Sequence, residues 1–359
     1  MHQVVVAALA LFHVVACAVA HDVGDGVPLG EDLGPIKLDQ RCLSELDDAP
    51  LVLPDHLSCT GLYRDVAQRK VADGVLSFVP GYVLWSDGLD KSRYLYLPKN
   101  TTIDASTPGY WEFPVGTRFW KEFRAHETGR PVETRIFLKT GPTTWRPSSY
   151  AWNDTLTDAT RVDVARNVDL GSQVHWIPSP NDCDKCHKGR PDRVLGFEQV
   201  ALGLPEASGV TLADLVAQQR LTGFSGPTDY HIGEQDNDSV EAHALGFLHM
   251  NCGVSCHNNN SNAYGGMARL QLKLEPEQLD GRSSSSFVSV TNTVGMATKT
   301  LRWSGKTRIV PGSSADSWLY TLMTQRGDPE EQMPPIATNI APPEGSKWVK
   351  DWIDSLPKQ

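Results

Sequence analysis

The 359-residue sequence lacks the features that mark several large classes of protein. It has no cluster of Lys and Arg, and its net charge of −10 opposes nucleic acid as a partner, because phosphate contacts need clustered basic side chains. After residue 20 it has no apolar run long enough to cross a bilayer. It also has no glycine-rich phosphate loop, no Gly-x-Ser-x-Gly and no His-Glu-x-x-His. Nucleotide hydrolysis, serine esterase chemistry and zincin proteolysis are therefore not indicated.

The N-terminal segment, residues 1–20, predicts an export signal. Val4 to Ala20 form an apolar run that ends in Ala18-Val19-Ala20, the small-x-small pattern that precedes signal cleavage. Val14-Val15-Ala16-Cys17 also fits a lipoprotein signal, in which Cys17 would be lipidated. The segment contains no Lys or Arg, which is a departure from both kinds of signal. We expect an exported protein, periplasmic or at the outer surface, whose membrane association is at most a lipid anchor.

Beyond Cys17, six cysteines remain, and an oxidising compartment permits disulfides among them. Cys42 and Cys59 have no His in ligand-like spacing nearby, so one structural disulfide between them is the simplest interpretation. The other four cysteines lie in two Cys-His motifs, which are treated below.

Residues 21–59 form an irregular lead-in that is rich in Asp, Gly, Pro and Leu, and residues 60–204 have β character. Short aromatic and β-branched runs are separated by turn residues, which predicts a small antiparallel sandwich or barrel. The runs are 94–97, 111–113, 118–123 and 134–138. Their aromatic side chains could line a ligand groove, but at strand spacing we expect them to form the core.

Residues 205–359 change to a helical pattern. Ser239 with Glu241 fits a helix N-cap, and the apolar face that follows leads into Cys252. A second helix begins at Asp316 and is ended by Gly327, and a third runs from about residue 345 to 356. The sequence therefore predicts an α+β fold, in which a β-rich N-terminal region precedes a mainly α-helical domain wrapped around a large apolar group.

The strongest motif is Cys183-Asp184-Lys185-Cys186-His187, a Cys-x-x-Cys-His arrangement. Two thiols three positions apart can form thioethers to the haem vinyl groups, and the adjacent His can ligate iron. A thioredoxin-type redox disulfide is the first alternative, but the strand-helix pattern around such sites is missing. A zinc site is the second, and there the adjacent His would be sterically awkward.

Cys252-Gly253-Val254-Ser255-Cys256-His257 is a variant motif with one extra residue between the cysteines. Positions i and i+4 of a helix share a face, so both sulfurs can address one porphyrin edge. Two alternatives to attachment through two thioethers stay open at this motif. One is attachment through a single thioether, and the other is a Cys252–Cys256 disulfide without haem. We expect haem c at both motifs, with His187 and His257 as the proximal iron ligands.

The axial ligands opposite these histidines come from less specific signals. Met333, in Gln332-Met333-Pro334-Pro335, is held in a non-helical turn by two prolines and is our candidate distal ligand for the second haem. Met267, Met296 and Met323 are its rivals. For the first haem the candidates are His175, His231, His243, His249 and Met250. His249 lies just before the second motif and could bridge the two sites, either as a ligand or as a propionate contact.

From about residue 248 to the C-terminus the sequence resembles a c-type cytochrome domain of exported bacterial proteins. The resemblance is carried by the following segments: 248–252, 256–258, Val310-Pro311-Gly312, Ser317-Trp318-Leu319-Tyr320, Met333-Pro334-Pro335 and Trp352-Ile353. An upstream stretch, with Leu84-Trp85-Ser86-Asp87-Gly88 and Trp111 to Thr117, is similar to an uncharacterised companion region of such proteins. The resemblance implies a cytochrome c-like helical domain, thioethers at Cys252 and Cys256, proximal His257 and distal Met333.

These observations predict a dihaem c-type cytochrome that transfers electrons by an outer-sphere route to or from an exported dehydrogenase or terminal acceptor. An electron carrier is favoured over a catalyst. The first alternative is a dihaem peroxidase or oxidase with one open iron. The second is a haem-free ligand-binding protein in which the cysteines form three disulfides.

Overall fold

The computed structural model of the protein describes Cys42 and residues 53–233, 239–279 and 281–358. The predicted signal segment, Cys17 and most of the predicted lead-in lie outside these residues. No helix in the described ranges is long and apolar enough to cross a membrane.

The described residues contain thirteen β-strands, and seven of them form one antiparallel sheet in the order β12-β3-β4-β6-β7-β8-β9. In chain order the strands are β1 (Tyr63–Asp65), β2 (Lys70–Val71), β3 (Leu76–Val79), β4 (Asp90–Tyr96), β5 (Ile103–Asp104), β6 (Arg118–Arg124), β7 (Pro131–Lys139), β8 (Trp145–Trp152), β9 (Ala159–Val162), β10 (Arg166–Asp169), β11 (Val174–Ile177), β12 (Ser208–Gly209) and β13 (Leu221–Thr222). The remaining strands form three pairs: β1 with β2, β10 with β11, and β5 with β13.

Alternation along the strands divides the side chains between two apolar clusters, because successive residues point to opposite faces of a sheet. Leu95, Phe119 and Phe137 are opposite one another on adjacent strands and face the helices. Trp120 and Ile136 face the other side, where they pack with the segment that follows Leu53. The prediction that the aromatic residues of this region form the core is confirmed, because most of them are buried.

Seven α-helices lie in the described residues. They are α1 (Pro180–His187), α2 (Gln199–Gly203), α3 (Leu212–Ala217), α4 (Val240–Leu248), α5 (Val288–Thr291), α6 (Trp318–Thr324) and α7 (Pro343–Ser355). The three helices predicted from the sequence are confirmed as α4, α6 and α7. The Ser239 hydroxyl accepts a hydrogen bond from the Ala242 N–H (3.0 Å), as the N-cap prediction required.

The predicted fold class is wrong in two respects. The C-terminal part is not a mainly α-helical cytochrome c-like domain, because its helices are short and the described chain is dominated by the antiparallel sheet. Even α7, the longest, has 13 residues, and proline and glycine interrupt the apolar periodicity between the helices. The β region is also neither a sandwich nor a barrel, since its one large sheet is open, with β12 and β9 at its edges.

The helices pack on the inward face of the sheet. One cluster of buried side chains extends from Phe78 of β3 to Ile353 of α7. Within it the Tyr82 ring makes an edge contact with Trp348 of α7, and its hydroxyl lies 3.0 Å from Nδ1 of His243 of α4. This packing brings α1, α4 and the segment that follows α6 together at one end of the molecule, where both Cys-His motifs lie.

Candidate functional site

The first Cys-His motif occupies α1. Pro180 begins the helix, and the Asp182 carboxylate accepts a hydrogen bond from the Ser179 N–H (3.2 Å), so the local sequence fixes where the helix starts. Cys183 and Cys186 are one turn apart on this helix. His187 is its last residue, so the helix presents two thiols and one imidazole at a single site.

His187 has the environment of a metal-ligating histidine. Its Nδ1 lies 2.6 Å from the Arg193 carbonyl oxygen, which only accepts, so Nδ1 carries the proton. Its ring stacks on Phe137, with 4.2 Å between centroids and 25° between planes. Burial lowers the pKa of His187 to about 3, so the ring is neutral near pH 7. Nε2 therefore keeps its lone pair, and the hydrogen bond at Nδ1 is the support that protein metal ligands of this type usually have.

The four motif cysteines are free thiols rather than disulfides in this structure. Burial raises the pKa of Cys183 and of Cys186 to about 11, and that of Cys252 to about 12. Thioredoxin-type exchange and zinc binding both use thiolates, which a raised pKa opposes. In the described ranges no group of three or more His, Cys, Asp or Glu side chains is placed to hold a metal ion. At neutral pH these cysteines are therefore protonated thiols.

The second motif begins in a widened turn. Helix α4 passes into a π-helical turn, His249–Gly253, and the Cys252 carbonyl accepts from the N–H groups of Cys256 (3.2 Å) and His257 (2.8 Å). A π-type turn accommodates one residue more than an α-turn. The i→i+4 bond from Cys256 to Cys252 keeps the two cysteines one turn apart despite the additional residue between them. Gly253 is required here, because a Cβ would lie 2.4 Å from the Lys273 backbone nitrogen.

His257 is buried, and its Nδ1 has no hydrogen-bond partner in the described residues. Burial, with a smaller contribution from Arg308, lowers the pKa of His257 to about 4. The ring lines a cavity together with Cys252 and Met333. The other lining residues are mostly apolar and include Leu270, Trp303, Trp318, Leu319 and Met323. Three of the four residues that the resemblance assigns to the second haem, Cys252, His257 and Met333, thus line one cavity, whereas Cys256 lines the neighbouring recess.

The loop that carries Met333 is tied down on both sides. The Met333 N–H donates to the Leu322 carbonyl of α6 (2.7 Å). The Gln332 side chain accepts from the Gly327 N–H (2.9 Å) and donates to the Pro334 carbonyl (3.0 Å). These contacts cross-link the loop internally and hold Met333 at the cavity wall.

Asp87, in the segment that the sequence singled out only by resemblance, anchors the far end of the same loop. Its carboxylate accepts from the Thr338 hydroxyl (2.9 Å) and from the N–H groups of Asn339 (2.8 Å) and Ile340 (3.1 Å). The neighbouring Trp85 N–H donates to the Asn251 side chain, 2.6 Å away and next to Cys252. This segment therefore connects the Met333 loop to the second motif.

The two motifs contact each other. The Ser255 hydroxyl donates to the Cys186 carbonyl (2.8 Å). At Gly189, just after the first motif, a Cβ would lie only 1.7 Å from the Ser255 carbonyl oxygen, so only glycine permits this approach. Cavities of about 350 and 190 Å³ share eight lining residues, among them Cys186 and His187, and the second also touches Cys252 and Cys256. They form one recess that reaches both motifs, within the size range of cofactor sites.

His249 does not reach this recess as a ligand. Its Nδ1 accepts from the Leu274 N–H (2.9 Å), so its Nε2 carries the proton and faces the Glu198 carboxylate at 3.3 Å. Both ring nitrogens are therefore occupied, and the residue stabilises the core. Glu198 also caps α2 by accepting from the N–H groups of Val200 and Ala201.

Among the other distal candidates for the first motif, only His175 lines the recess. Its Nε2 lies 2.8 Å from Glu133, which leaves Nδ1 as the atom for a further contact. Met250 is fully buried in the core and His231 is exposed. His243 stacks on Trp348, with 4.9 Å between centroids. Of the rivals of Met333, only Met323 lines its cavity, since Met267 and Met296 are exposed.

Cys42 and Cys59, for which the sequence indicated a disulfide, are joined by one. Other important residues had no such signal in the sequence. No sequence pattern indicates that the Arg193 carbonyl and the Phe137 ring contact His187. Arg93, Lys121 and Arg135 could have been found, because two-residue alternation places them on the same face as the buried Leu95 and Phe119.

No family model, no curated protein and no solved structure matches this chain. The resemblance to c-type cytochromes therefore stays a prediction from the sequence motifs.

Proposed function

We propose that this chain is an exported c-type haem protein that transfers electrons, with haem c at both Cys-His motifs. The observation that carries the proposal is the state of His187, a neutral imidazole with Nδ1–H fixed on the Arg193 carbonyl and Nε2 left for iron. Two protonated thiols lie on the same short helix, and a recess adjoins them. These are the parts that covalent haem attachment requires.

The second motif offers the same residue types with less support. Cys252 and Cys256 would carry the thioethers, and His257, a buried imidazole whose Nδ1 lacks the hydrogen bond that supports His187, would be the proximal ligand. Met333 would supply the distal thioether, which raises the reduction potential relative to histidine. When bound, haem iron supplies a one-electron couple, and the protein's part is to fix the ligands and exclude water. The two motifs touch through Ser255 and Cys186, so groups attached at both motifs would be neighbours.

The partner remains the predicted exported dehydrogenase or acceptor, and the acidic net charge favours a basic docking surface on it. The proposal makes no use of a helical cytochrome fold. The alternative with three disulfides finds no support in the described residues, where Cys42–Cys59 is the only disulfide and the motif cysteines are free.

A second candidate, catalysis at an open iron, is favoured by one observation: the recess beside His187 opens to solvent and is lined by Arg135 and His175. Carbon monoxide titration of the reduced protein separates the candidates, because iron with two protein axial ligands binds it poorly. Spectral changes at one of the two haems would support the open-iron candidate.

The experiment that tests haem attachment uses two variants made in a host with haem c maturation. Cys183→Ala/Cys186→Ala and Cys252→Ala/Cys256→Ala should each retain one covalent haem by alkaline pyridine spectra, against two in the parent. As a control, Ser58→Ala, which lies beside Cys59 and away from both motifs, should retain both haems. A cysteine variant with the parental haem content would contradict attachment at that motif.

A further inference from the structure

A row of basic side chains crosses the inward face of the sheet beside His187. Arg93 of β4 is directly opposite Lys121 of β6, and Lys121 is directly opposite Arg135 of β7. Side chains in such positions have Cβ atoms about 4.5–5.5 Å apart, and like charges there are destabilising. Three adjacent cations therefore lower stability unless negative charge lies against them.

Two of the three cations lack that compensation. Arg135 is neutralised by Glu133 through two hydrogen bonds, of 2.6 and 2.9 Å. Arg93 is buried, yet its Nε and Nη2 have no hydrogen-bond partner in the described residues. Lys121 makes no hydrogen bond in the same part of the chain, and its Nζ lies 5.9 Å from the centre of the Phe123 ring. Buried guanidinium nitrogens without partners are costly, and an anion against Arg93 would satisfy them.

The acidic side chains on the same strands are directed elsewhere. Glu122 lies on the opposite face of β6, where it accepts from the Tyr63 hydroxyl (2.5 Å) and from Arg124 (3.0 Å). Glu133 is engaged by Arg135 and His175. No carboxylate of the described chain therefore reaches Arg93 or Lys121.

A small cavity of about 70 Å³ lies against this row. Arg93, Lys121, Arg135, His187 and Arg193 line it, and its remaining lining residues are apolar. One water molecule needs roughly 10–15 Å³ by a comparable measure, so the cavity has room for a carboxylate or an oxyanion of that size. Arg193 is paired with Asp184, which does not line the cavity.

We propose that this cavity, which we call the anion pocket, binds one carboxylate-sized anion between Arg93 and Lys121. The anion is either a propionate of a haem attached at Cys183 and Cys186 or a free small anion. The first source rests on the proposed function, and the second does not. In both cases the same charge-assisted hydrogen bonds from Arg93 and Lys121 hold the oxygens.

Formate is the probe, because it is a carboxylate small enough for the pocket. Full-length protein made without haem is titrated with sodium formate, at an ionic strength held constant with a bulky sulfonate salt. We expect a saturable rise in Tm, because formate binds the folded state. Arg93→Gln should weaken the apparent affinity about tenfold or more. Arg118→Gln, on the opposite face of β6, should leave the affinity unchanged and is the matched control.

A second variant keeps the test valid if Arg93→Gln folds poorly. Lys121→Met removes one of the two side chains that would hold the anion, so its response to formate should be lost, and its Tm without formate reports whether it folds. No rise in Tm with formate, or an equal rise in the parent and in both pocket variants, would overturn the proposal.

The same titration on haem-loaded protein identifies the source. If a propionate fills the pocket, formate no longer changes the Tm, and Arg93→Gln shifts the haem midpoint potential. If the anion is free, the formate response persists after haem attachment. A protein that binds formate in the pocket but takes up no haem would refute the proposed function and still support the anion pocket.

Discussion

Gly189→Ala is the most severe test of the contact between the two motifs. The new Cβ would lie 1.7 Å from the Ser255 carbonyl oxygen and 2.9 Å from its carbonyl carbon, and both are backbone atoms that cannot rotate away. The segments that carry the motifs must therefore separate. Their separation also breaks the hydrogen bond from the Ser255 hydroxyl to the Cys186 carbonyl.

The expected cost follows from these two effects. Forcing additional atoms into a packed contact destabilises by about 1–3 kcal/mol. The lost hydrogen bond contributes roughly 0.5–1.5 kcal/mol. Alanine also lowers the conformational entropy of the unfolded chain, which stabilises the folded state by about 0.4–1 kcal/mol. Gly189→Ala should therefore lower the free energy of unfolding by about 0.5–4 kcal/mol, the combination of these ranges.

Urea unfolding of the full-length protein, followed by tryptophan fluorescence, measures this change. Gly266→Ala is the matched control, because a Cβ there meets no atom within 4 Å, and it should change the free energy of unfolding by less than about 0.5 kcal/mol. Ser255→Ala alone should cost about 1 kcal/mol, but clearly less in the Gly189→Ala background, where the bond is already broken. Parental stability in Gly189→Ala would refute the contact between the motifs.

Three further predictions concern buried charge, loop anchoring and pH. Asp192→Ala should destabilise the protein by about 3–5 kcal/mol in the same urea assay, because the buried Lys139 ammonium, 2.6 Å from Asp192, loses its partner. Replacing the exposed Asp154 with Ala is the control and should be nearly neutral. Asp87→Ala should free the loop of Met333 and weaken the near-infrared band typical of methionine-ligated ferric haem, and an unchanged band would contradict the anchoring role. Burial lowers the pKa of His187 to about 3 and that of His257 to about 4 in the folded haem-free protein. In the unfolded chain both histidines have the ordinary pKa of about 6.5, so between these pH values the unfolded state binds more protons than the folded state. The free energy of unfolding should therefore be constant above about pH 6.5 and fall towards pH 4 by about 1.4 kcal/mol per pH unit for each histidine. Urea midpoints that do not change over this pH range would contradict the burial of these histidines.

Local patterns predicted local structure well. Two-residue alternation found the strands around Tyr94, Phe119 and Ile136, and the apolar spacing after Ser239 found α4 with its N-cap. Neither pattern contains the long-range pairing that decides whether a sheet closes. The short strand β12 pairs with β3 across more than a hundred residues, and no local signal announces it.

The helical domain was overestimated because apolar residues at helical spacing extend over only one or two turns in this region. Between α5 and α6 the chain passes through Pro311 and Gly312, and a continuous helix cannot cross such a turn. The family resemblance extended these short pieces into a complete helical domain, which the sheet and its packing do not bear out.

The candidate site divides in the same way. Spacing alone identified the two Cys-His motifs, since that chemistry depends on neighbouring residues. The supports of His187 come from distant segments, the Arg193 carbonyl and the Phe137 ring, and depend on the tertiary fold. His249 was a reasonable ligand candidate by position, but the hydrogen bonds at both of its nitrogens are visible only in three dimensions.

The most direct test of haem attachment is the intact mass of the mature protein made in a host with haem c maturation machinery. We expect the mass of the polypeptide plus two haems, retained under denaturing conditions because thioether bonds are covalent. A mass equal to the bare polypeptide would contradict the proposed function at both motifs, whatever the activity of the preparation.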